Sequence, residues 1–335
     1  MGKELLNTKN LSIGYQGSAS NKVLARNLNL SLSSGDFVAL LGPNGSGKST
    51  LIRSISGLLN ALEGFVFIDG KELKTLSKSQ RARMISLVLT DPITTTALSV
   101  SDVVAYGRFP YTNWLGKLSD EDHEIIDKSL ELVDMLSFRS RQLNTLSDGE
   151  RQRVMIAKAL AQRSAIMILD EPTAHLDLIN RVEIMKLLRT IAHTQNQAIL
   201  ISTHELDLAT QSADTLWLMG ENQSISVGAP EDLILNNALQ KVFAQSSVDF
   251  DHLTGLFKIK HDTHKEIHFQ CNDAQIALWT RKALEKIGIS ISSDSKLDYI
   301  LEYDIVQKVW VYKVSDKEIS FSTLADLVSY LKKND

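Results

Sequence analysis

The chain has 335 residues, enough for two domains or for one large domain with an appendage, each with its own core. Forty acidic against thirty-six basic residues leave a net charge of −4, so no overall basic field points to nucleic acid as a partner. The single cysteine, Cys271, excludes an internal disulfide framework. The first residues lack the basic and apolar segments of a signal peptide, and no apolar run approaches the ~20 residues that cross a bilayer. A cytoplasmic protein is therefore expected, reaching any membrane through partners.

Residues 5–15 and 23–32 alternate as strands and are expected to form a small antiparallel sheet. Tyr15 suits either an adenine ring or an ordinary buried position. The apolar run 37–41 then feeds Gly42, Pro43, Asn44, Gly45, Ser46, Gly47, Lys48, Ser49 and Thr50, followed by a helical pattern from Leu51. This is G-x-x-x-x-G-K-[ST], the phosphate-binding loop. Its glycines let backbone N–H groups approach phosphate, Lys48 brings a point charge, and the Ser49 hydroxyl is placed to ligate Mg²⁺. A nucleoside triphosphate with Mg²⁺ is the expected ligand.

Residues 64–70 read as a strand closed by an Asp-Gly turn, and 85–89 as another. From about 91 to 163 the pattern is mainly helical, with Ile125, Ile126, Leu130, Val133 and Leu136 on one face. Within it Leu146, Ser147, Asp148, Gly149 and Glu150 open a second helix. By itself that turn is an N-cap with an acidic first turn, although a helix N-terminus also suits an anion.

Residues 165–169 form an apolar run of the kind buried on both faces of a parallel sheet, ending in Asp170 and Glu171. Carboxylates there face the crevice at the strand end. Asp170 is expected to hold Mg²⁺ and Glu171 to polarise the attacking water. Asp177 precedes the next helix, and the buried run 198–202 ends at Thr203 and His204, where an imidazole is placed to reach a γ-phosphate. The sheet is expected to finish with 215–219 and a hairpin into 224–227.

The remaining ninety or so residues read as strands at 256–259, 266–269, 299–303, 308–312 and 318–320, with helices at 273–287 and 323–332. This predicts a small α+β domain over 250–335 that folds separately from 1–246. His261, His264, His268 and Cys271 lie together in sequence but match no metal-ligand spacing.

Taken in order, these stations resemble the ATP-binding cassette (ABC) ATPases over roughly residues 5–243. The resemblance implies a P-loop NTPase core of α/β class, with an antiparallel β subdomain and a helical insertion. It gives Tyr15 the adenine-stacking place, Gly42 to Thr50 the Walker A motif and Leu146 to Glu150 the signature motif. Asp170 and Glu171 match Walker B and its catalytic glutamate, residues 174–177 the D-loop, and His204 the switch histidine. Tyr106 to Tyr111 and Trp114 to Ser119 look like the importer ATPases for ferric siderophores, haem and cobalamin.

The resemblance implies a homodimer in which each ATP lies between one chain's Lys48 loop and the other chain's Ser147 helix. Membrane permease subunits and, indirectly, a solute-binding protein are the expected partners, at the cytoplasmic face of the inner membrane. Two residues depart from the family pattern. Asp148 replaces a signature glycine, and Thr90 stands where a glutamine contacts the Mg²⁺ shell and couples to the permease. A soluble cassette ATPase acting on a ribosome, nucleic acid or assembly complex is the competing expectation, but the chain has neither a second cassette nor sustained heptads.

Overall fold

The computed structural model describes residues 2–17, 21–89, 98–113, 116–220, 223–243, 248–251, 256–292, 294, 297–314 and 317–334. The chain divides into two compact units, Met1–Ala244 and, in the main, Phe257–Asp335.

The first unit opens with β1 (Glu4–Tyr15), β2 (Lys22–Leu28) and β3 (Ser31–Ser33), followed by β4 (Phe37–Leu41), α1 (Lys48–Ile55), β5 (Glu63–Ile68) and β6 (Lys71–Glu72). The strands β2-β1-β5-β6 form an antiparallel sheet, with β3 also on β1. The turn from β5 to β6 places Asp69 at φ 48° and Gly70 at φ 74°. Two successive positive φ values suit a two-residue hairpin, and Asp-Gly tolerates them.

α2 (Lys78–Met84) and β7 (Ile85–Val88) lead to the helical insertion, whose α-helices are α3 (Val100–Ala105), α4 (Asp120–Leu132) and α5 (Asp148–Ala161). The chain then returns through β8 (Ile166–Asp170), α6 (Leu178–Gln195), β9 (Ala198–Ser202), α7 (Leu206–Ser212), β10 (Thr215–Met219) and β11 (Ile225–Gly228). These strands and β4 make a six-stranded sheet in the order β11-β10-β4-β9-β8-β7, parallel except for β11. All five residues of β4, β8 and β9 are buried. A parallel strand covered on both faces needs a continuous apolar run, which is what the sequence supplies. The chain order brings the carboxyl ends of β4, β9 and β8 side by side, at the crevice where α/β sheets bind ligands.

The Tyr106–Tyr111 segment, a 3₁₀ turn after α3, fastens the insertion. A Cβ on Gly107 would sit 2.2 Å from the Lys158 carbonyl oxygen, so only glycine lets this turn lie against α5. Arg108 is buried; its Nε donates to Asp122 Oδ1 at 2.7 Å, its Nη1 to the Ala161 carbonyl at 2.8 Å, and its guanidinium lies 4.1 Å from the Tyr111 ring centre. Burial alone would raise the Asp122 carboxyl. Hydrogen bonds from the Ser119 N–H, Arg108 and the Ser119 hydroxyl outweigh it and hold the group at about 2, against 3.8 for an ordinary aspartate.

A depressed folded-state value stabilises the protein fully above the unfolded value, and that contribution is lost as pH falls through the folded one. The Asp122 carboxylate with its Ser119 and Arg108 hydrogen bonds together is therefore worth about 2 kcal/mol above pH 4, and that contribution fades towards pH 2. Arg108→Leu leaves the buried carboxylate unpaired and is expected to cost about 3 kcal/mol at pH 7. Thermal melts should show the gap between wild type and variant shrinking by pH 3. An equal gap at both values would remove the charge pair from the account.

α8 (Pro230–Leu235) and α9 (Ala238–Phe243) close the first unit. Beyond β12 (Val248–Asp251) and β13 (Leu256–Ile259), the second unit runs β14 (Lys265–Gln270), α10 (Ala274–Glu285), β15 (Ile289–Ser292), β16 (Tyr299–Asp304), β17 (Val309–Val314), β18 (Lys317–Phe321) and α11 (Leu324–Lys333). Its five-stranded sheet has the order β15-β14-β16-β17-β18, with β14 parallel to both neighbours and β16 to β18 antiparallel. Ile267, Leu284, Ile289, Leu301, Tyr312, Leu327 and Leu331 form its own buried core, and the Trp310 indole N–H donates to Thr280 Oγ1 at 2.9 Å. Both ring nitrogens of His268 are engaged, Nδ1 with the Ser292 carbonyl at 3.3 Å and Nε2 with Gln270 Nε2 at 2.9 Å.

Candidate active site

The turn after β4 has little freedom in its sequence. A Cβ on Gly42 would lie 2.5 Å from the Met219 carbonyl oxygen, and Gly47 sits at φ 110° as the N-cap of α1. The helix begins at Lys48 rather than at the expected Leu51, so the N–H groups of Lys48, Ser49 and Thr50 belong to its first turn. Those N–H groups have no partner further back in the helix and are the donors an anion would use.

Lys48 folds back over the loop, its Nζ donating to the carbonyls of Gly42 at 2.8 Å and Pro43 at 3.2 Å. Burial lowers its ammonium below the usual lysine range, and the carboxylates of Glu171 and Asp170 oppose that shift. Ser46 Oγ is buried without a hydrogen-bond partner. An orphaned buried hydroxyl is costly, and a phosphate oxygen is the kind of group that satisfies it. Asn44 and Gly45 are exposed at the loop's outer edge and Pro43 is half-buried.

Facing the loop, Asp170 ends β8 and is buried. Its Oδ1 accepts from Ser202 Oγ at 2.5 Å and from Ser49 Oγ at 3.4 Å, which joins the ends of β8 and β9 to the first turn of α1. Glu171 follows in the left-handed region at φ 51°, an unfavourable place for a glutamate. Its N–H donates to the Ser202 carbonyl at 3.2 Å and hydroxyl at 3.0 Å, which hold the turn. The Glu171 carboxylate meets His204 Nε2 at 2.5 Å, so the ends of β8 and β9 present one carboxylate–imidazole pair. Tyr15 is 46% exposed and its hydroxyl shares a 2.9 Å hydrogen bond with Thr50 Oγ1. That bond fixes the ring beside the loop and leaves much of it in solvent.

The other expected site residues form a second cluster. Ser147 caps α5 in a capping box: its N–H and hydroxyl both donate to Glu150 Oε2, at 2.7 and 2.9 Å, and its Oγ accepts from the Glu150 N–H at 3.3 Å. The Ser147 N–H is the main cause holding the Glu150 carboxyl below its usual range. In the single chain the serine is thus engaged with its own helix. Asp148 pairs with Arg151 one turn on. Asp177 caps α6, accepting from the N–H of Asn180 at 2.8 Å and from its Nδ2 at 2.9 Å, and the first of these holds its carboxyl low. Gly149 is buried against that same Asn180.

Thr90 lies outside the described residues. Ser202 and Asn180 carry no motif signal; only the position of Ser202 at the end of a buried run pointed towards the crevice. Arg181 and Glu205 are also additions to the sequence reading: Arg181 Nε donates to the Leu176 carbonyl at 2.6 Å and lies 3.3 Å from Glu205 Oε1. Burial raises the Glu205 carboxyl, with Arg181 acting against it.

The model of a family described as ABC transporter matches residues 25–174, and that of the iron ABC transporter C-terminal domain matches 264–332. The uncharacterized ABC transporter ATP-binding protein MJ0873 of Methanocaldococcus jannaschii is 35% identical over 78% of this chain and 89% of its own. The iron(3+)-hydroxamate import ATP-binding protein FhuC of Bacillus subtilis is 35% identical over 71% of this chain and 87% of its own. Among solved structures, dimeric MJ0796, a bacterial ABC transporter cassette, superposes with a TM-score of 0.56 at 27% identity, covering 64% of this chain and 94% of that one. At 35% identity to MJ0873 and FhuC over most of the length of both relatives, the chain belongs to the ATP-binding cassette transporter family, whose members bind ATP and couple its hydrolysis to transport.

Proposed function

We propose that the chain powers an importer for an iron chelate, haem or cobalamin, with two copies closing on two ATP molecules. The observation that carries the catalytic reading is the convergence of the Lys48 loop, Asp170 and the Glu171–His204 pair at three adjacent strand ends. Backbone N–H groups after Gly45 and the orphaned Ser46 hydroxyl take the phosphates, Lys48 turns its charge onto them, and Tyr15 faces the base. Ser49 and Asp170 would hold Mg²⁺, which neutralises phosphate charge when bound. Glu171 accepts a proton from the water that attacks the γ-phosphorus as the bond to the β–γ bridging oxygen breaks. His204 orients that carboxylate and meets the charge growing on the phosphoryl oxygens.

Ser147, Gly149 and Asp177 serve the nucleotide held by the second copy. Leu178 and Ile179, 68% and 72% exposed beside Asp177, support a surface that a second copy covers. The exposed rings of Tyr106 and Phe109, 4.9 Å apart, support a docking face for permease subunits on the insertion, with Thr90 in the coupling position. Among the described residues no helix is long and apolar enough to cross a membrane. By likeness to import ATP-binding proteins such as FhuC, the chain works at the cytoplasmic face through those subunits, which receive cargo from a solute-binding protein. The substrate class rests on relatives such as FhuC and on the match to the iron transporter C-terminal domain.

Uptake of labelled ferric siderophore, haem and cobalamin, measured in cells that carry the permease pair with and without this chain, tests the reading. Chain-dependent accumulation of one of them is expected, and accumulation of none would overturn the importer assignment. The chain cut after Ser246 is expected to keep Mg²⁺-dependent hydrolysis, because every residue given a nucleotide role precedes Phe243. Its failure in a well-folded truncation would give the C-terminal unit a part in the active dimer.

A further inference from the structure

Inside one chain the signature turn and the loop after β8 meet through the side chain of Asn180. Asn180, half-buried in the first turn of α6, is fixed from one side by Asp177, which accepts from both its N–H and its Nδ2. On the other side its Oδ1 lies 2.7 Å and its Cγ 2.8 Å from where a Cβ on Gly149 would be. Gly149 has an ordinary helical φ, so what a side chain there would meet is the Asn180 amide and not a forbidden backbone conformation. One turn further along both helices Arg153 Nη2 donates to Glu183 Oε2 at 2.6 Å, while its Nη1 reaches the Val133 carbonyl at 3.3 Å. α5 of the insertion and α6 of the core are therefore tied at two successive turns.

The tie continues to the catalytic carboxylate. Between Glu171 and Asp177 the backbone is a run of hydrogen-bonded turns, Ala174 N–H to the Glu171 carbonyl at 3.1 Å and Leu176 N–H to the Thr173 carbonyl at 3.3 Å. Arg181 clamps the end of that run through the Leu176 carbonyl. A shift at Glu171 thus has a short, packed path through Asp177 and Asn180 to Gly149 and Ser147.

We propose that Asn180 is a positioning residue: it makes the signature turn follow the loop after β8, so that ATP on a chain's own Lys48 loop sets where that chain's Ser147 is offered to the second copy. The proposal rests on the two-copy reading above. Its distinctive consequence is that Asn180 affects closure of the dimer and leaves binding of the first nucleotide alone.

The test uses the full chain carrying Glu171→Gln, with and without Asn180→Ala or the isosteric Asn180→Asp, which sets a second carboxylate against Asp177. Light scattering gives the ATP concentration at half-dimerisation, a fluorescent ATP analogue gives the affinity of dilute monomer, and melting reports the fold. Both Asn180 variants are expected to raise the ATP concentration needed by about tenfold, the size of an ordinary coupling between sites, with monomer affinity and melting temperature unchanged. Dimerisation at the same ATP concentration as the parent overturns the proposal alone. So does an equal fall in monomer affinity or melting temperature, which would make Asn180 merely structural. A Glu171→Gln parent that stays monomeric at every ATP concentration removes the two-copy reading and this proposal with it.

Discussion

Glu171→Gln is expected to retain ATP while slowing its hydrolysis by roughly 10²–10⁴-fold, the range lost when a positioned general base is removed. The amide fills the same space and can still meet His204, so the Glu171 turn, held through its backbone by Ser202, should persist. What disappears is an acceptor for the water's proton. Lys48, Ser46 and the first-turn N–H groups are untouched, so binding of nucleotide should change little and the closed dimer should accumulate in ATP. Steady-state phosphate release and light scattering on one preparation check both halves. A rate equal to wild type would remove Glu171 from proton transfer.

Lys48→Ala is expected to lower turnover by on the order of 10²–10³-fold, comparable to deleting a preorganised donor to transition-state charge. Lys48 is buried, lies beside two carboxylates and donates to two carbonyls of its own loop. Its removal therefore also leaves the Gly42 and Pro43 carbonyls without their donor and takes a positive charge from beside Asp170 and Glu171. Weaker nucleotide binding should accompany the lost rate, whereas Glu171→Gln should lose rate alone. An unchanged rate would deprive the loop of a chemical role.

The sheet and the phosphate loop were legible because their constraints are local. Period-two alternation, doubly buried apolar runs ending in Asp170 and at Ser202, and the glycine spacing of the phosphate loop are all written into short stretches. What escaped was set by distant neighbours or by short elements. β15 is only four residues, Ile289–Ser292, following the positive-φ Gly288, and takes its strand identity from pairing with β14. Ser202 gains its role from the approach of β8, and Asn180 from Gly149, thirty-one positions earlier in sequence. The 106–111 segment was read as a subfamily mark, and the structure adds a physical use for it: Gly107 and Arg108 fasten the turn to α5 and α4. Its exposed aromatics remain the part assigned to the permease.

The central claim is that each ATP site is shared, with the Lys48 loop from one chain and the Ser147 turn from the other. Mixing two inactive variants tests it most directly: Lys48→Ala and Ser147→Arg, purified separately, combined in equal amounts, and assayed for phosphate release. In a shared-site dimer the mixed pair places both lesions in one site and leaves the other intact, so activity should return to roughly a quarter of the wild-type value. If each chain carried a complete site of its own, mixing would give no more than the sum of the two inactive proteins, and that result would contradict the account.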